Sequence, residues 1–251
     1  MATNNQKGFT AVEMIILAPI LVLVIGAFVA SAVVLTGQSL SLRERNTLIS
    51  DTQTALDTIE SDVNYANTFL TTTGSLTAPQ GSNDLSTPAT ATAAFTNTTS
   101  GQPDTLILQS GVTTKGRNDP GRSLVYNGSG TCNPANGVVS YKSVYMLRSN
   151  ILYKRTIVPT AAACATPWQQ NSCDANLVSS YSSVCKVEDE QLLDDVTGIT
   201  IQYFSNSTTT TPLASSAAAS AIDVSFQIDT SKTSGSGTVT YSATRRATRL
   251  N

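Results

Sequence analysis

Histidine is absent from all 251 residues of the chain. Its absence removes the commonest general base and the commonest metal ligand. Ser-His-Asp triads, Cys-His pairs, H-E-x-x-H motifs and histidine-based zinc sites are therefore excluded. Charge is scarce as well: 13% of residues are charged, against about 25% in ordinary soluble domains. The 15 Lys+Arg and 17 Asp+Glu leave a net charge of −2 and a pI near 5.1, so there is no global pull toward nucleic acid or anionic lipid. No short C-x(2–4)-C pair occurs, which argues against a zinc site built from four thiolates. Around Glu188-Asp189-Glu190 and Asp194-Asp195 the glycine-containing calcium-loop spacing is missing, and a solvated turn before a strand is the expectation there. Nothing distinguishes any Asp/Glu pair as hydrolytic. The composition reads as a non-enzyme with no cofactor and no metal.

What the chain does have is unevenly placed apolar residues. Between Met14 and Leu42 no ionisable side chain appears, and Met14–Leu35 reads MIILAPILVLVIGAFVASAVVL. As a helix rising about 1.5 Å per residue, this stretch spans roughly 33 Å, the thickness of a bilayer's hydrocarbon core. The alternative is a secretory signal peptide, whose apolar region would be about 7–15 residues long and would end at small residues such as Ala30, Ser31 and Ala32. Glu13 decides between them. It is a carboxylate one residue before the apolar run, and an acid entering a bilayer is costly enough to mark a function and to require a partner.

The residues Lys7-Gly8-Phe9-Thr10-x-x-Glu13 followed by a long apolar helix resemble the class III signal of type IV pilins and type II secretion pseudopilins. The resemblance implies a leader peptide, residues 1–8, removed by a prepilin peptidase between Gly8 and Phe9, with N-methylation of Phe9 by the same enzyme. It makes Glu13 the fifth residue of the processed chain, where the family carries its glutamate. A freed α-amino group on Phe9 would be a cation at the membrane, costly unless neutralised. Glu13 of a neighbouring subunit could neutralise it, strongly so at low dielectric. A contact of this head-to-tail kind never closes and so builds a helical filament. In an isolated subunit the same pair could form within one chain.

The helix is expected to continue beyond the membrane, giving a transmembrane half over residues 9–36 and an amphipathic half over 37–70. Leu42, Ile49, Leu56 and Val63 recur every seven residues, with Ile59 and Ala66 beside them, the pattern of a stripe that packs on the protein's own sheet. Pro19 and Gly26 interrupt the apolar half. Residues 71–103 are rich in Thr, Ser, Ala and Asn with Pro79, Pro88 and Pro103, a composition expected to form a surface loop burying little.

From residue 104 to 251 the chain reads as an antiparallel β-domain. DTLILQS, RSLVY, VVSYKSVYMLR, ILYKRTI, GITIQYF, AIDVSFQID and GTVTYSATRRATRL are rich in β-branched and aromatic residues. Ser149-Asn150 looks like a hairpin turn. Ile222, Val224, Phe226 and Ile228 alternate with polar residues, as in a sheet with one wet face. Cys132, Cys164, Cys173 and Cys185 all lie in this part. In an exported domain their even number predicts two disulfides, with three connectivities open. Arg245, Arg246 and Arg249 read as a strand end rather than a nucleic-acid contact, lacking interleaved aromatics.

The segment Asp51–Ala66 with VYMLRSNILYKR, LLDDVTGITIQYF and TRRATRLN also resembles the PilW-like minor pilins and the J-type pseudopilins. The resemblance implies an α+β pilin-like fold, a long N-terminal helix packed on a C-terminal antiparallel sheet. It implies a minor subunit of a type IV pilus or type II secretion-like filament, helping to initiate it or sitting near its tip. Its partners would be other pilins or pseudopilins, a prepilin peptidase and methyltransferase, an inner-membrane assembly platform and membrane lipid, with no specific nucleic acid. The precursor would span the bacterial inner membrane once before joining a surface or periplasmic filament. The competing function is a membrane-tethered or pilus-borne adhesin that contacts a surface through the loop regions 71–103 and 127–185.

Overall fold

The computed structural model describes residues 11–81, 94–97, 104–160, 163–234 and 237–250. Helix α1 (Ala11–Asn64) runs for 54 residues, about 80 Å at 1.5 Å per residue. Pro19 lies inside it. Within its apolar part, Ser31 Oγ donates to the Ala27 carbonyl at 2.9 Å and Thr36 Oγ1 to that of Ala32 at 2.6 Å. Each hydroxyl is thereby satisfied by the helix's own backbone, the usual solution where water is absent.

The chain divides into two compact units, one holding the N-terminal residues to Thr47 with Thr233–Val239, the other Leu48–Lys232 with Thr240–Asn251. In the first, the described residues from Ala11 to Leu35 are all solvent-exposed. In the second, the remaining part of α1 packs against antiparallel sheets, an α+β arrangement.

The larger sheet has five strands in the order β1 (Thr68–Phe69), β2 (Leu106–Gly111), β3 (Ser140–Arg148), β4 (Ile151–Ile157) and, later in the chain, β7 (Glu190–Leu193). Strand β5 (Ser172–Cys173), the one-turn helix α2 (Ala175–Val178) and strand β6 (Val187–Glu188) intervene, with β5 and β6 forming a short parallel pair. Strand β7 (Glu190–Leu193) closes this sheet beside β4, and β8 (Val196–Phe204), β9 (Asp223–Ser234) and β10 (Gly237–Thr248) form a second sheet in the order β10-β9-β8. Between β3 and β4, Ser149 and Asn150 adopt φ of 50° and 63°, the left-handed pair of a two-residue type I′ turn whose twist suits a hairpin. That turn sets the register in which Arg148 faces Ile151 and Leu147 faces Leu152.

A single antiparallel sheet is the expectation from sequence; among the described residues two antiparallel sheets are found, beside the short parallel β5–β6 pair. The chain changes sheets at Asp194-Asp195, where Asp195 has φ of 59°, and a register shift follows between Val196 and Gly198. A left-handed residue and a bulge together bend a strand out of its sheet. The 122–126 segment forms isolated bridges, Leu124 to Thr113 and Tyr126 to Val138, rather than a strand.

The core unites both sheets with α1. Leu56, Ile59 and Val63 meet Phe69, Leu106, Leu108 and Leu152 on one side and Val224, Phe226 and Ile228 on the other. Phe69 and Tyr203 pack edge to face with centroids 5.7 Å apart, a favoured aromatic geometry. The buried stripe of α1 is Leu48, Thr52, Ala55, Leu56, Ile59 and Val63. Leu42 is 59% exposed and does not belong to it. A strict seven-residue count drifts around a helix of 3.6 residues per turn, and one heptad before Leu56 the buried residue is Leu48, with Ile49 only half-buried. The helix also stops at Asn64, short of residue 70, because Asn67 turns its N–H to the Gln109 carbonyl at 2.7 Å and starts β1.

The segment expected to lie loosely on the surface is partly built into the fold. Leu76 and Phe95 join Ile107, Val144, Met146 and Ile157 in a second apolar cluster. Thr72 bridges to Thr96. Pro88 and Pro103 lie outside the described residues.

Candidate functional site

Glu13 stands exposed in the first turn of the described part of α1. A carboxylate there complements the partial positive charge of a helix N-terminus. Gly8 and Phe9, the cleavage and methylation positions implied by the pilin resemblance, lie outside the described residues. Past Glu13, an 18-residue window of α1 has a mean hydropathy of 2.7 and is wholly unburied. Among the described residues it is the one helix long and apolar enough to cross a membrane. Contiguous apolar surface of this extent is far beyond what soluble monomers show, and it gives the chain a candidate membrane anchor near its N-terminus.

The opposite end of α1 is tied to the sheets by charge. Asp62, in the last helical turn, would by itself be disfavoured there, since the C-terminus of a helix carries partial negative charge and α1 has no basic residue in that turn. Three donors from elsewhere answer it. Lys154 Nζ of β4 lies 2.7 Å away, Arg117 Nη2 2.8 Å, and Tyr145 Oη of β3 donates at 2.5 Å. Burial alone would raise the Asp62 carboxyl, but the Lys154 charge and the three hydrogen bonds outweigh it and hold the group below its ordinary value. Burial would likewise lower Lys154, yet attraction to Asp62 raises it. Tyr145, fully enclosed and next to that carboxylate, is pushed well above the usual phenol value. Arg117 also lies over the Tyr65 ring at 4.2 Å and donates to Ser61.

A second tie joins α1 to β10. Arg245 reaches Asp57 at 2.9 Å and Glu60 at 2.5 Å and donates to Gln53 at 2.9 Å, while Gln53 donates to Tyr241 Oη at 3.0 Å. Arg246 pairs with Asp223 at 3.1 Å and covers the Phe204 ring, and Arg249 donates to the Asn67 carbonyl at 2.5 Å. All three arginines of the closing segment thus serve internal contacts.

The four cysteines form Cys132–Cys164 and Cys173–Cys185. Beneath the second bridge lies a charge cluster that sequence reading missed. Arg155 is fully buried and pairs with Asp189 at 2.5 Å, while Arg148 pairs with Asp174 at 2.8 Å. Ser172 Oγ donates to Asp189 at 2.9 Å. Asp189 is therefore no part of a solvated turn, although its neighbours Glu188 and Glu190 are exposed. Asp189 lies at the junction between strands β6 and β7, and nothing within Glu188-Asp189-Glu190 separates it from its acidic neighbours; its burial follows from Arg155 and Ser172, which meet it from elsewhere in the chain. Among the described residues, no group of three or more His, Cys, Asp or Glu side chains is placed to hold a metal ion.

Beside the Asp62 clamp opens a groove of about 1170 Å³, lined by Asp62, Tyr141, Lys154, Arg117, Arg122 and Trp168 among others. Trp168 is 58% exposed there. Its backbone N–H donates to the Thr113 carbonyl at 2.8 Å, which fixes the loop that carries it. The clamp and groove offer cations, amides and an aromatic face, a set suited to holding a partner. No family model matches the chain, and no curated protein shows detectable similarity to it.

Proposed function

We propose that this chain is a prepilin of the minor pilin or pseudopilin class, a subunit of a type IV pilus or type II secretion-like filament assembled through α1. The observation that carries the reading is Glu13 at the head of a helix whose apolar N-terminal stretch is wholly unburied and whose last turn is clamped through Asp62 into a disulfide-bonded β-domain. An anchor needs only apolar length; an acid at its entrance adds cost without benefit unless another group answers it. After cleavage between Gly8 and Phe9, the amine of one subunit would meet Glu13 of the next, and the apolar halves would exchange lipid for one another.

Mass spectrometry of the protein taken from sheared filaments tests the first step: the expected first residue is N-methylated Phe9, and an intact Met1 start or a cut near Ser31 refutes it. Glu13→Ala tests the second. It should abolish entry into filaments while the β-domain stays folded. The exposed Trp168 and the groove beside it favour a second reading, a membrane-tethered or filament-borne adhesin. A protein that is merely tethered would tolerate Glu13→Ala.

A further inference from the structure

We propose that the groove beside the Asp62 clamp binds a uronate-type acidic oligosaccharide, with a sugar face on Trp168 and a carboxylate on Arg122. Several groove side chains are already used by the fold. Gln169 and Thr113 satisfy each other through two hydrogen bonds, and Thr114 pairs with Ser123. Arg117 and Lys154 are taken by Asp62. Among the described groove residues, the side chains of Asn67, Gln170, Arg122 and Trp168 make no hydrogen bond, ion pair or ring contact, and all four are exposed, the Trp168 indole lying against the Gly116 loop.

That unspent set has a definite chemistry. Planar amides and a guanidinium offer paired hydrogen-bonding atoms that match vicinal hydroxyls and carboxylates. An exposed indole supplies a rigid apolar plate with one polar edge, which suits the C–H face of a pyranose ring. The charged residues lining the groove are Arg117, Arg122, Lys154 and Asp62. Arg117 and Lys154 share the single Asp62 carboxylate, so the lining keeps a positive excess, and Arg122, which has no carboxylate partner of its own, is left to receive an anion from outside. At about 1170 Å³, the groove exceeds the roughly 300–1,000 Å³ of a drug-sized pocket, as a chain of several sugar rings requires. The inference goes beyond the filament reading and does not depend on it, since the groove is built wholly within the β-domain unit.

Trp168 is the only tryptophan in the chain, so its fluorescence reports on the groove without background. Full-length protein in a zwitterionic, sugar-free detergent is titrated with tetragalacturonate, neutral galactotetraose and tetraglutamate. The expected result is a saturable emission change with tetragalacturonate at a Kd of about 0.1–1 mM, and binding weaker by at least roughly tenfold for the other two. Arg122→Ala should weaken tetragalacturonate binding roughly tenfold, and Trp168→Phe should do the same by calorimetry, each with an unchanged melting temperature. Both side chains are exposed, so folding is not at stake. No saturable change with tetragalacturonate, equal binding of galactotetraose or tetraglutamate, or an unaffected Arg122→Ala variant would each overturn the proposal. None of these results bears on Glu13, whose own test is filament entry.

Discussion

Asp62 of α1 and Lys154 of β4 meet at 2.7 Å, a pair separated by more than ninety positions in the chain and largely shielded from solvent. Tyr145 and Arg117 complete the shell around the carboxylate. The arrangement makes a residue that opposes the helix dipole into the one that fixes the helix end to the sheet.

Asp62→Asn keeps the shape and removes the charge, leaving Lys154 and Arg117 without their common anion. Stability should fall by about 2–3 kcal/mol, somewhat less than for a fully buried pair, because Glu190 lies 3.4 Å from Lys154 and partly replaces Asp62. Thermal melting of the full chain in detergent, followed by near-UV circular dichroism, measures the change. A variant melting with the native protein would show the clamp to be dispensable.

The same pair fixes a pH window. Folding depresses Asp62 below its ordinary 3.8, so its contribution is complete above that value and is lost as pH falls through the folded value. Folding raises Lys154 above 10.5, so its contribution holds below 10.5 and is lost as pH rises past the folded value. Urea unfolding of the native protein should therefore show stability declining at both extremes, and Asp62→Asn should flatten the acid limb. An acid limb as steep in the variant as in the native protein would sink this assignment.

Leu56 and Leu42 separate the two candidate stripes of α1. Leu56 is 1% exposed and Leu42 59%. Leu56→Ala should cost about 2–5 kcal/mol through lost burial and the cavity left behind, and Leu42→Ala no more than about 0.5 kcal/mol. Equal costs would mean that the seven-residue stripe is the true one.

These two leucines also show what was legible in the sequence. Elements governed by neighbours in the chain were readable: β4 falls on ILYKRTI, the Ser149-Asn150 turn forms, and Val224, Phe226 and Ile228 point inward as their alternation requires. Ile222 lies outside β9 and is 40% exposed. Features that depend on distant partners were not. Asp189 is buried because Arg155 is there to meet it, and Asp62 matters because Lys154 and Tyr145 approach from another element. Composition misjudged the threonine-rich segment for a similar reason: two apolar residues, Leu76 and Phe95, suffice to dock its described parts. Of the candidate assembly site, Glu13 and the apolar span were readable; the clamp and the groove were not.

Asp189→Ala should be among the most damaging single changes, about 3–5 kcal/mol, because it strips a fully buried guanidinium of its carboxylate. The double variant Arg155→Met with Asp189→Leu should recover most of that loss, since apolar residues of similar volume often replace buried pairs without penalty. A double variant no better than the single one would point to a role for these groups beyond mutual neutralisation.

Peptide mapping without reduction should recover Cys132 with Cys164 and Cys173 with Cys185. Cys173 and Cys185 are buried, and replacing both by serine should cost about 2–5 kcal/mol. Any crossed pairing would contradict the fold of the 164–189 region.

The two ties on α1 have a mechanical meaning. Asp57 and Glu60 hold β10 while Asp62 holds β3 and β4, so an axial tug on the helix is delivered to both sheets together. Attachments strung along a rod must shear in concert, whereas a single attachment point lets a rod peel away turn by turn.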